Sequence, residues 1–173
     1  MRVAIAAAAL VALLAGTAAA AGPLDVFKPL CGKTWRGEFT GPDGTKMVDV
    51  SRWELILGGM AVRTVHSLND GVYGGETLLF WDTAKESLAF VYITTAGFRT
   101  EGTISVDGAT FTSHEVVHGD ADGITEVRAT SQLLEDGTLA MVSEYLKDGA
   151  WTAGHKVVYV EAPQAEVKFK AGS

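Results

Sequence analysis

DGATFTSHEVVHGDADG, residues 107–123, contains the string H-E-x-x-H, and the fold decides what that string means. On a helix, His114 and His118 lie one turn apart and both imidazoles reach one zinc ion. On a strand they share a face but stand ~13 Å apart at ~3.3 Å per residue, too far for two metal bonds of ~2 Å. The surroundings favour the strand. Thr110, Thr112, Val116 and Val117 are β-branched and suit a pleated surface. Asp107-Gly108 precedes the run and Gly119 follows it, so a helix would stop at the second histidine. No zinc peptidase is expected, and Glu115 falls on the face opposite the two histidines.

The same turn signal recurs along the chain. All four prolines lie at positions 23, 29, 42 and 163, outside the span 43–162. Turns within that span are marked by Asp43-Gly44, Gly58-Gly59, Asn69-Asp70-Gly71, Asp107-Gly108, Asp122-Gly123, Asp136-Gly137 and Asp148-Gly149. Asp-Gly between apolar runs is a strong hairpin signal, because both residues tolerate positive φ. The runs between turns are rich in Val, Thr, Phe, Tyr and Trp. They predict strands at 33–40, 45–57, 60–67, 72–81, 87–95, 97–105, 109–118, 123–134, 138–147 and 151–161. Connections this short pair each strand with the next, and closure removes both exposed sheet edges. The expected fold is all-β: one antiparallel up-and-down barrel of about ten strands, the last returning to the first. PLDVFKPLCG (23–32) reads as a short helix or irregular lid ahead of it.

Alternation assigns faces. Lys46, Arg52 and Glu54 point out, which sends Met47, Trp53 and Leu55 inward. Arg63 outward puts Val62, Thr64 and His66 inside. Arg99 and Glu101 outward put Phe98, Thr100, Gly102 and Ile104 inside. Glu126 and Arg128 outward put Val127, Ala129, Ser131 and Leu133 inside. Lys156 outward leaves Trp151, His155, Val157 and Tyr159 inside. The strands 72–81, 87–95 and 138–147 are apolar on both faces and resist orientation. A barrel of about ten strands is wider than side chains alone fill, so a cavity is expected. Its candidate lining is Trp53, His66, Tyr92, Phe98, Thr100, Trp151, His155 and Tyr159.

The start of the chain, MRVAIAAAALVALLAGTAAAAG, has one Arg, a short apolar core and small residues suited to cleavage. That predicts a signal peptide over 1–21, a single barrel domain over 22–173, and an exported, periplasmic or extracellular protein. The apolar core is well short of the ~20 residues that span a bilayer. Loss of Arg2 takes the net charge from −7 to −8. That acidity argues against nucleic acid and anionic membranes as partners. The lone Cys31 excludes an internal disulfide, and Lys28 and Pro29 before it spoil a lipidation motif.

LCGKTWRGEF (30–39), a G-x-x-W-x-G segment opening the first strand, resembles the start of calycins, the lipocalin and fatty-acid-binding group. GGETLLFWDTAKESLAFVYITTAGFRTEG (74–102) resembles a bacterial family known as domain of unknown function 1579, itself assigned a lipocalin-like barrel. The resemblance implies the barrel and carries no catalytic residues. More distantly, the nitrobindin group has ten-stranded barrels that hold haem through a histidine on the last strand, and His155 matches in position.

The leading expectation is a carrier, monomeric or weakly dimeric, that binds a small, largely apolar or amphipathic molecule without catalysis and with no cofactor. The alternatives are a haem-binding barrel through His155, a small enzyme using interior histidines or carboxylates, and an envelope interaction module with a filled core. There is no G-x-S-x-G, phosphate loop or C-x-x-C to fix a catalytic group, and GDADG (119–123) lacks the rest of a calcium loop.

Overall fold

The computed structural model describes residues 22–41 and 43–170, and every long element within them is a strand. The strands are β1 (Lys33–Thr40), β2 (Lys46–Ile56), β3 (Ala61–Leu68), β4 (Tyr73–Asp82), β5 (Ser87–Thr94), β6 (Arg99–Asp107), β7 (Thr110–His118), β8 (Ile124–Leu133), β9 (Leu139–Lys147) and β10 (Ala150–Glu161). Each pairs antiparallel with the next, and β10 returns to β1, closing the barrel. The predicted strands are all present. The expected signal segment lies outside the described residues.

The turns work as their residues dictate. Asp148 and Gly149 join β9 to β10 with φ values of 52° and 76°, the doubly left-handed pair that suits a two-residue hairpin. Asp122 and Gly123 take φ values of 55° and 80° just before β8.

One half of the barrel is filled with its own side chains. Trp35 is 0 % exposed, and its indole N–H donates to the Leu30 carbonyl at 3.1 Å. A 3-10 turn at Asp25–Phe27, ahead of β1, brings Phe27 to 1 % exposure. Its ring stacks against Phe111 at 5.0 Å and Trp53 at 6.4 Å. Val62, Leu79, Leu88, Phe90, Leu139 and Val157 complete this apolar plug. Burying large aromatics and aliphatics here is the main source of stability in a chain with no disulfide.

The outer wall is charged. Arg63 on β3 bridges Glu54 on β2 and Glu76 on β4. HEVVH lies within β7, so its histidines alternate outward and Glu115 points inward. The two imidazoles also diverge. His114 meets Glu126 on β8 at 2.6 Å, whereas His118 lies 3.0 Å from Glu101 on β6. After β10 the chain turns back and reaches β3, where the Lys168 backbone N–H donates to the Ser67 hydroxyl at 3.0 Å.

One predicted orientation is reversed. The β10–β9 register slips between Ala153 and Lys156, a bulge that inserts one extra residue. Residues before it change face. Trp151 therefore stands outside, opposite Leu146, with the Arg128 guanidinium 3.8 Å from its ring centre and His114 beside it. It lines no interior space.

Candidate functional site

The other half of the barrel is polar inside. All four tyrosines of the chain, Tyr73, Tyr92, Tyr145 and Tyr159, point inward. With them are His66 and His155 and two carboxyl groups, Asp49 and Glu115.

Asp49 on β2 is the hub. It is 4 % exposed, and both of its oxygens are engaged. Oδ1 lies 2.8 Å from Nδ1 of His66 on β3, and Oδ2 accepts from the Tyr159 hydroxyl of β10 at 2.8 Å. A carboxylate only accepts, so Nδ1 carries the proton. In the neutral ring, Nε2 then accepts from the Tyr92 hydroxyl at 2.7 Å, and Tyr73 donates to the Tyr92 oxygen at 2.8 Å. The result is a directed chain, Tyr73 to Tyr92 to His66 to Asp49, with Tyr159 closing on its far side.

Two glycines make these reaches possible. Tyr159 belongs to β10 and Asp49 to β2, with β1 between them. Gly37 on β1 has no side chain there; a Cβ would meet Val157 at 2.4 Å and the Tyr159 ring at 2.9 Å. Tyr92 likewise crosses β4 to reach His66. Gly75 opposite His66 leaves that room, since a Cβ would meet the Tyr92 ring at 2.3 Å. The G-x-x-W-x-G segment thus has a mechanical reading: Trp35 fills the plug, and Gly37 opens the path from Tyr159 to Asp49.

A second group forms on β9 and β10. The Tyr145 hydroxyl lies 2.8 Å from Nδ1 of His155, and the Ser143 hydroxyl 3.2 Å from it. Phe39 stacks on the imidazole at 4.7 Å. Burial holds His155 below its ordinary value, so it is a neutral ring. Its Nε2 has no hydrogen-bond partner among the described residues.

Glu115 completes the set. Thr100 donates to its Oε2, and Oε1 has no partner among the described residues. Burial pushes its acid up, against the lowering pull of Thr100 and, from the other face of β7, His114. The phenols are pushed up too, chiefly by burial, and the charges of Asp49 and Glu115 add to this at Tyr92 and Tyr73. This polar half, called the cup below, is therefore lined by neutral hydroxyls around two carboxyl groups.

Of the predicted lining, His66, Tyr92, Thr100, His155 and Tyr159 come together here. Phe98 joins them, stacking on Tyr73 at 6.4 Å. Trp53 belongs to the plug, its indole N–H donating to the Ser51 hydroxyl at 3.1 Å. Sequence reasoning missed Asp49, Tyr73, Glu115 and Tyr145. Asp49 had a usable signal, being two residues from Met47 and four from Trp53, both read as inward. Glu115 had one as well, lying opposite two solvated histidines.

His155 is the residue a haem would use. A neutral, buried imidazole braced at Nδ1 by a phenol suits an iron ligand in type. It needs the tautomer in which Nδ1–H donates to the Tyr145 oxygen, freeing the Nε2 lone pair, and the same 2.8 Å contact allows that.

No protein-family model matches this chain, and no curated protein matches it.

Proposed function

We propose that the barrel binds a small amphipathic molecule in its polar half and performs no chemistry on it. The observation that carries this reading is the unequal interior. One half is plugged by Trp35, Phe27 and their neighbours at close to zero exposure. In the other, inward polar groups keep accessible surface, 24 % for the His66 side chain, and Oε1 of Glu115 and Nε2 of His155 stand unpartnered. Unpartnered inward polar atoms amid aromatic walls are the usual make-up of a small-molecule site. The ligand's polar end would meet these atoms, and its apolar body would lie against Phe39, Met47 and Phe98. The test is native mass spectrometry with a thermal-shift screen of fatty acids, lipids and neutral amphipathic dyes. Adducts and a raised midpoint support the reading; a screen with neither refutes it.

A second reading is acid–base catalysis. It is favoured by the Asp49–His66–Tyr92 chain, in which a buried carboxylate orients an imidazole that takes a hydroxyl proton. Turnover of a bound molecule that is lost in His66→Gln, with binding retained, would select it over simple carriage.

A further inference from the structure

We propose that the molecule taken into the cup is a small organic cation, its positive head held by Glu115 among the phenols Tyr73, Tyr92 and Tyr145. The inference rests on the binding reading above and gives that site its ligand class.

The charge inventory of the interior points this way. Glu115 projects inward from β7, opposite Gly102 on β6 and Val127 on β8. Neither neighbour offers a charge. Thr100 on β6 supplies its single hydrogen bond. The titratable groups facing it from further strands are Tyr73 on β4, Tyr92 on β5 and Tyr145 on β9; each feels the Glu115 charge, and none is a cation. Deeper in the cup, the His66 proton is directed at Asp49, and His155 is neutral. Among the described residues, no lysine or arginine pairs with Asp49 or Glu115; their ion pairs all go to other carboxylates.

A buried carboxyl without a counter-ion has two stable states. It keeps its proton, or it ionises against a cation that comes from outside. The aromatic wall favours the second state when a suitable ligand is present, because phenol faces are negative and attract ammonium groups. An anion finds the reverse: two carboxyl groups and, among the described residues, no lysine or arginine beside them. The net charge of −7 also raises the local concentration of cations around the protein. At pH values where burial keeps the proton on Glu115, entry of the cation releases it to solvent, so binding and proton release are there one event.

The experiment uses choline as the cationic probe and 3,3-dimethylbutan-1-ol as its uncharged isostere. N-phenyl-1-naphthylamine, a neutral amphipathic fluorophore, reports on the cup itself. Titration calorimetry from about pH 4.5 upward, at each pH in two buffers of different ionisation heat, reads affinity and proton release together. Choline is expected to bind at least about tenfold tighter than the isostere, the scale of a desolvated cation–π contact, with release of a proton at the pH values where Glu115 still holds it. Glu115→Gln, its fold checked by circular dichroism, is expected to lose about tenfold in choline affinity and all of the proton release. Equal binding of the isostere, or choline affinity unchanged in Glu115→Gln, overturns the cation assignment. If the fluorophore still binds in that case, the small-molecule reading survives alone. If none of the three probes binds, both fall.

Discussion

Asp49→Ala is the sharpest test of the polar half. The carboxylate is 4 % exposed and accepts from two groups, Nδ1 of His66 and the Tyr159 hydroxyl, each at 2.8 Å. Alanine leaves both donors facing an apolar gap. A buried donor left unsatisfied costs roughly 1–3 kcal/mol, so the two together cost about 2–6 kcal/mol. Tyr159→Phe removes only one bond to a charged acceptor, at about 1.5–3 kcal/mol. Because the two residues share that bond, the double variant costs less than the sum of the single ones, by about 0.5–3 kcal/mol. Urea unfolding at pH 7, followed by tryptophan fluorescence, gives all three values, and unchanged m-values would show that the denatured state is comparable. A cost below about 1 kcal/mol for Asp49→Ala, or strict additivity in the cycle, would show that these groups are satisfied by water and that Asp49 is not the hub of the interior.

Three further outcomes follow from the same geometry. Glu115 holds its proton in the folded state at pH values where the unfolded chain has lost it, so stability falls as pH rises from an unfolded value near ~4.3 towards the folded one. Glu115→Gln is expected to remove that slope and to be more stable than the parent at pH 7, read as the urea midpoint from pH 4 to 8; an unaltered slope contradicts it. Gly37→Ala is expected to cost roughly 1–3 kcal/mol by overpacking against Val157 and Tyr159, and to uncouple Tyr159 from Asp49 in the double-mutant cycle. If the barrel takes haem, the Soret band formed on haem titration is expected to shift or vanish in His155→Ala; a band that ignores this change places the iron elsewhere.

The fold was legible because its signals are local. Asp-Gly turns and β-branched runs are read residue by residue, and ten hairpin-linked strands then have one edge-free arrangement. Facing was legible wherever a charge marked the wet side, as at Arg63, Arg99 and Glu126. It failed at Trp151 because a bulge depends on how β10 registers against β9, which no single strand encodes. The site was half legible for a related reason. His66, Tyr92, His155 and Tyr159 look like interior residues. Asp49 and Glu115 are charged types that usually face water, and only alternation from their neighbours on β2 and β7 marks them as interior. Tyr159 and Asp49 are separated by 110 positions in sequence, and only closure of β10 on β1 brings them together.

The interior contains two desolvated groups whose pH dependences oppose each other. His155 is held neutral, so stability falls with pH once the unfolded histidine, near ~6.5, begins to take its proton. Burial pushes the Glu115 acid up, so stability falls as pH rises from the unfolded glutamate's value. A ligand separates the two effects by its charge. A cation requires Glu115 to lose its proton and His155 to stay without one, and both requirements make affinity rise with pH. An anion requires the opposite of both, so its affinity falls. A neutral molecule gives little slope. The sign of the pH dependence of binding therefore reports the ligand's charge before the ligand is identified. That sign is set by the inward glutamate of HEVVH, while the two histidines that make the string look like a metal site stay on the outer wall.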